Sequence, residues 1–227
     1  MSLDVKICGL STAPALEAAV AAGATHAGFI FFERSPRHVT PAIARDLAET
    51  ARARGVRPVA VTVDADDATI DEIVAVMRPD MLQLHGAEPP ARLAALKARH
   101  GLQIIKAFAI SAAADLDKLA PYRGMADRFL LDAKPPKGSD LPGGNGVCFD
   151  WQVLAALDAD TDYFLSGGLD PANIARAIAI ADPPGVDISS GVERAPGIKD
   201  PALIAQLFEA IAGHQGARRP AAQGEHA

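Results

Sequence analysis

The chain has 227 residues, 49% hydrophobic and 22% charged, with 19 Gly and 17 Pro spread along it, an ordinary globular composition. A formal net charge of −6 argues against a general nucleic-acid or membrane-surface binder, which needs a basic face. Two cysteines, Cys8 and Cys148, are too few for a disulfide scaffold, and Glu17 interrupts the Ala-rich stretch 13–24, so no run reaches the roughly 18 apolar residues of a membrane span.

In chain order, eight short strand-like runs recur: VKIC at 5–8, AGFIFF at 27–32, PVAVTV at 58–63, MLQLH at 81–85, IIKAF at 104–108, RFLLDA at 128–133, YFLS at 163–166 and VDIS at 186–189. Segments of helical spacing lie between and after them, at about 12–22, 41–53, 67–77, 88–99, 112–120, 149–157, 171–181 and 201–212. Thr40-Pro41, Asp170-Pro171 and Asp200-Pro201 each set an N-cap residue before Pro at the first helical position. Near-continuous apolar strands suit a parallel sheet covered on both faces, and eight repeats predict a single-domain (β/α)8 TIM barrel over residues 1–212. The aperiodic stretch 213–227 reads as a disordered tail. Nothing resembling a secretory leader precedes the first strand, so the expected compartment is the cytoplasm.

Two connections are longer than the rest, ERSPRHVT after the second strand and the Pro-, Gly- and Lys-containing segment 133–148 after the sixth. Both fall on the face where barrel active sites are built. The second reads either as a mobile surface loop or as a lid that closes over a ligand.

Small-residue turns end the last two strands: Gly167-Gly168, and Ser189-Ser190-Gly191. Such turns let backbone N–H groups approach an anion, and the loops after strands 7 and 8 of a parallel barrel are where a phosphate usually sits. The same geometry gathers Cys8, Arg37, Asp64, His85, Asp132, Ser166, Asp187 and Ser189 at one mouth. Cys8 is either a small buried hydrophobe or, with its pKa lowered, a base or nucleophile. Asp132 emerges from an apolar strand and caps a loop or, if desolvated, donates a proton as a general acid. Arg37, stiffened by Pro36, suits a carboxylate or phosphate by a bidentate fork, or lies solvated. His85 hydrogen-bonds a substrate or caps its strand. Asp187 faces the interior if Val186 and Ile188 face the helices, and then needs a partner, ligand or protein. Asp64 opens the acidic run DADD and has the weakest case. Six histidines without HxH or HxxxH pairing, and the absence of GxxxxGK[ST], lead us to expect no metal and no nucleotide cofactor.

VKICGL at 5–10, GFIFFERSPRHV at 28–39, LQLHG at 82–86, LLDAK at 130–134, GGNGVCFDW at 143–151, LSGGL at 165–169 and VDISSGVERAPGIKD at 186–200 together resemble the phosphoribosylanthranilate isomerase family of tryptophan biosynthesis. The resemblance runs from residue 5 to about 212. It implies a cofactor-free Amadori rearrangement of N-(5-phosphoribosyl)anthranilate to 1-(2-carboxyphenylamino)-1-deoxyribulose 5-phosphate, with Asp132 as general acid and Cys8 as general base. Arg37 would then contact the anthranilate carboxylate, Gly167, Gly168, Ser189, Ser190 and Gly191 would hold the phosphate, and His85 and Asp187 would line the pocket. The sole expected partner is this small phosphosugar; monomer and homodimer stay open. Val147 and Cys148 stand where the family often has polar residues, a departure that leaves the catalytic positions intact. Cys148 lies inside a loop rather than at a strand end, which favours Cys8 as the base. The competing readings are another phosphosugar barrel, with an aspartate at the first-strand position or magnesium-binding carboxylates, and a non-catalytic phosphate-binding barrel.

Overall fold

The computed structural model describes residues 3–134, 143, 144, 146 and 148–217, with side chains through His214. Most of the expected lid, at 135–142, 145 and 147, and residues 218–227 of the expected tail lie outside the described residues. Eight parallel strands close into a barrel in sequence order. They are β1 (Asp4–Cys8), β2 (His26–Phe31), β3 (Arg57–Thr62), β4 (Met81–Leu84), β5 (Gln103–Ile110), β6 (Arg128–Ala133), β7 (Tyr163–Leu165) and β8 (Gly185–Ile188). The seam is β1 against β8, with Lys6 opposite Asp187 and Ile7 opposite Ile188. The predicted (β/α)8 barrel is the architecture of the chain.

Period-two alternation sorts the strand residues. Val5, Ile7, Val186 and Ile188 join the large core between wall and helices, while Cys8, Val59, Val61, Met81, Ile105, Leu130 and Phe164 fill the barrel interior. The floor of the interior is Phe164. Arg128 stacks on its ring with the guanidinium carbon 4.3 Å from the centroid and pairs with Asp4 and Asp162 at 2.7 and 2.9 Å. Gly185 makes room for that ring, since a Cβ there would stand 2.7 Å from it.

Outside run α1 (Ala13–Ala22), α2 (Pro41–Ala53), α3 (Asp67–Met77), α4 (Pro90–His100), α5 (Ile174–Ala181) and α6 (Pro201–Ala217). After β5 and β6 the helical segments are instead 3₁₀, at Ala113–Tyr122 and Trp151–Ala156. Over six to ten residues a 3.0 and a 3.6 period leave nearly the same apolar pattern, and Pro121 withholds one α-helical N–H from the first segment. α5 starts three residues later than Asp170-Pro171 predicts. Asp170 Oδ1 accepts from the N–H groups of Ala172 and Asn173 in a closed turn, and Asn173 reaches back to Asp170 N and to the Gly168 carbonyl. α6 continues through Ala217, five residues into the segment expected as tail; Gly213 and Gly216 each weaken a helix by only about 1 kcal/mol. Between β8 and α6 a short hairpin, β9 (Glu193–Ala195) and β10 (Ile198–Lys199), folds back beside the barrel mouth.

One buried clamp on β5 fixes the loops after β3 and β4. Lys106, 2% exposed, donates to the Gly86 and Leu84 carbonyls at 2.7 and 3.3 Å and to Glu88 Oε2 at 3.0 Å. Glu88 in turn accepts from the N–H groups of Asp64 and Gly86, both at 3.0 Å. Removing one partner of such a pair strands a buried charge. We expect Lys106→Ala to lose about 3–5 kcal/mol in urea unfolding, whereas Lys118→Ala, which breaks an exposed pair with Asp115, should lose less than about 1 kcal/mol.

Candidate active site

The C-terminal ends of the strands open into one cleft of about 540 Å³, counted out to open solvent and lined among others by Cys8, Arg37, Gln83, His85, Asp132 and Asp187. Ser166 and Ser189 line it as well, but Asp64 does not. Asp64 has left-handed backbone, with φ 48°, and its Oδ1 accepts from Ala87 N at 2.7 Å. It holds a loop in place instead of facing the cleft.

Cys8, 5% exposed, ends β1 with its side chain inward. Two positions before it, on the same face, Lys6 is fully buried and its ammonium lies 2.9 Å from Asp187 Oδ1. That ion pair answers the need of Asp187 for a partner. Burial works against the Lys6 charge, but Asp187 and Cys8 outweigh it and hold the ammonium above its ordinary range. Burial pushes the Cys8 thiol up, opposed first by Lys6 and also by Lys199. Cys148 is exposed, its S–H directed at the Gly168 carbonyl 3.3 Å away, and it is not among the cleft-lining residues.

Asp132 ends β6, with β7 and β8 between it and β1 on the short way round, and lines the same cleft as Cys8. Its Oδ1 accepts from Ala133 N at 2.9 Å and its Oδ2 lies 3.6 Å from His85 Nε2. Gln83 Nε2 is 3.1 Å from His85 Nδ1. With that amide nitrogen donating, Nδ1 is the acceptor and the ring proton sits on Nε2, facing Asp132. Gly143 lies over this pair: a Cβ there would stand 2.6 Å from Asp132 Oδ2 and 2.8 Å from His85 Nε2.

Arg37 reaches the mouth across Gly9, whose left-handed backbone and bare Cα leave the path open; a Cβ would meet the Arg37 Cδ at 2.6 Å. The Nε and Nη2 edge of the guanidinium is already engaged, donating to Glu193 at 2.7 and 2.8 Å. A ligand therefore meets the other edge, formed by Nη1 and the second N–H of Nη2, and Gly144 lies over Nη1. Lys199 donates to Glu193 Oε1 at 2.7 Å and to the Ser189 carbonyl at 2.9 Å, and Ser189 Oγ donates to the Cys8 carbonyl at 3.1 Å. Arg37, Glu193, Lys199, Ser189 and Cys8 thus form one connected chain. Beside it, Gly167 and Gly168 carry positive φ of 92° and 61°. A Cβ at Gly167 would strike Ala133 N at 2.5 Å and one at Gly191 the Leu169 carbonyl at 1.9 Å. Neither Gly167 nor Gly191 has room for a side chain.

Residues 5–210 match the family model described as N-(5'phosphoribosyl)anthranilate (PRA) isomerase. The chain belongs to the phosphoribosylanthranilate isomerase family. A relative of that name from Mesorhizobium japonicum is 64% identical over 211 residues, covering 93% of this chain and 96% of the relative. The solved phosphoribosyl anthranilate isomerase of Thermotoga maritima superposes with a TM-score of 0.82 at 32% identity over 93% of this chain and all of the other. Another isomerase structure, with a TM-score of 0.80 at 30% identity over 93% of this chain and 100% of that one, holds reduced 1-(o-carboxyphenylamino)-1-deoxyribulose 5-phosphate.

As a member of this isomerase family the chain carries at its mouth three charged groups that sequence reasoning left without a role, Lys6, Glu193 and Lys199. A lysine inside an otherwise apolar strand, VKIC, and the acid and base spaced within SSGVERAPGIK were the available signals. Burial opposes the Glu193 charge, but Arg37 and Lys199 outweigh it and hold its carboxyl below the ordinary range. A depressed folded-state value gives stability that is present above the unfolded glutamate value and lost as pH falls through the folded one. Wild type should therefore exceed Glu193→Gln in urea midpoint at pH 7, and the gap should close on acidification below about pH 4. A gap independent of pH would assign the effect to packing alone.

Proposed function

We propose that the chain catalyses the Amadori rearrangement of N-(5-phosphoribosyl)anthranilate, within tryptophan biosynthesis, using Asp132 as acid and Cys8 as base. The observation that supports this reading is that Cys8 and Asp132 line a single cleft together with an arginine whose other edge is held by Glu193. Asp132 delivers a proton to the furanose ring oxygen as the C1′–O bond breaks, and the nitrogen lone pair forms the Schiff base. Cys8, as thiolate, takes the C2′ proton; the electrons of that bond neutralise the iminium and give an enaminol. Tautomerisation moves the 2′-hydroxyl proton away and adds one at C1′, leaving the ketose. The free edge of Arg37 engages the anthranilate carboxylate, and His85, with its proton toward Asp132, orients the acid. The small-residue turns at 167–168 and 189–191 take the phosphate through backbone N–H groups. Every step uses side chains of the chain itself, so no cofactor enters.

Purified protein should consume the aminoaldose in the presence of EDTA and without nucleotide. Cys8→Ser and Asp132→Asn should each lower kcat by about 10²–10⁴-fold, and Arg37→Met should raise KM. Both inactive variants should still bind the reduced ketose analogue seen in the related isomerase structure, which separates an enzyme from a pure phosphate binder. Full activity of Asp132→Asn would sink the acid assignment, and a metal requirement would sink the cofactor-free scheme.

A further inference from the structure

A thiol that burial pushes up is a poor source of thiolate, and an isolated thiolate in a cavity shielded from water is costly. The structure supplies a remedy two residues away. Gly28 of β2 faces both Cys8 and Lys6: a Cβ there would stand 2.9 Å from Cys8 Sγ and 3.0 Å from Lys6 Nζ. Sulfur and ammonium are therefore neighbours over bare backbone, with no side chain between them. The other charged groups facing this space are Asp187 from β8, Lys199 from β10, Asp132 from β6, His85 after β4, and Arg37 with its partner Glu193. Lys6, Arg37 and Lys199 are three buried cations facing three carboxylates, Asp187, Glu193 and Asp132. Moving one proton from Cys8 to Asp132 leaves that balance unchanged, and the thiolate and the protonated acid are the two states the rearrangement starts from.

We propose that Lys6 is the positioning residue that holds Cys8 as thiolate, and that Asp187 is the counter-ion restraining Lys6. This rests on the reading of Cys8 as the base, but the two can be separated. Within the cluster Asp187 and Cys8 compete for one ammonium, so changes at positions 6 and 187 act on the sulfur in opposite directions. Lys6→Met withdraws the cation and leaves Asp187 as a bare negative neighbour. Asp187→Asn leaves the cation wholly to the sulfur.

The test is the rate of iodoacetamide alkylation of Cys8, followed by mass spectrometry from pH 6 to 10 in a Cys148→Ala background so that one thiol remains. At pH 7, Lys6→Met should react about tenfold more slowly than its parent, Lys6→Arg at nearly the parental rate, and Asp187→Asn several-fold faster. If Lys6→Met keeps the parental pH profile while retaining the parental circular dichroism, Lys6 does not hold the thiolate and the proposal fails. If Lys6→Met does not fold, Asp187→Asn decides: faster alkylation supports the proposal, and an unchanged or slower rate overturns it. Turnover of Cys8→Ala gives the independent reading. Full activity there would remove Cys8 as the base while leaving the alkylation result to stand on its own.

Discussion

A lysine on the first strand and an aspartate on the last meet inside the barrel at 2.9 Å, and both the closure of the fold and the chemistry of the mouth depend on that meeting. The β1–β8 seam joins residues 181 apart in sequence, so closing it brings Lys6 against Asp187 and, in the same motion, sets Cys8 beside them. In a water-poor interior neither charge is tolerable alone. The pair therefore favours one register of the seam, because a slip by one residue would turn Lys6 outward into the apolar layer around Val5 and Ile7.

A second buried chain of charge runs from the loop after β2 through the hairpin after β8. Glu193 sits between Arg37 and Lys199 and prevents the two cations from facing each other uncompensated. By taking the Nε and Nη2 edge of Arg37 it fixes which edge is offered to a ligand. Through Ser189 the same chain reaches the carbonyl of Cys8. The arginine end and the cysteine end of the cleft are thus built as one unit. Gly9, Gly28, Gly143 and Gly144 are the spaces that allow it, each lying where a side chain would collide with a charged group or its stem.

The barrel was legible because a buried parallel strand advertises itself twice, by its apolar run and by the turn that ends it. Cys8, Asp132 and Asp187 were legible as strand-end polar residues, since barrel geometry brings all strand ends to one place. Lys6 was not, because a lone lysine in sequence carries no sign of whether its ammonium is solvated, and its partner lies on the far side of the chain. The engagement of one Arg37 edge by Glu193 was hidden for the same reason: the two residues are 156 apart in sequence. Asp64 was misplaced because a strand-end aspartate can turn back to cap a neighbouring loop, as its bond to Ala87 N does. The 3₁₀ segments escaped because so few turns do not separate the two helical periods.

The central claim is that this cleft performs the isomerisation with Cys8 and Asp132 together, and growth tests it most directly. The gene should restore growth without tryptophan to an auxotroph lacking phosphoribosylanthranilate isomerase, and Cys8→Ala or Asp132→Ala, expressed to the same soluble level, should not. Failure of the soluble, folded wild-type protein to rescue, or rescue by either variant equal to wild type, would contradict the account.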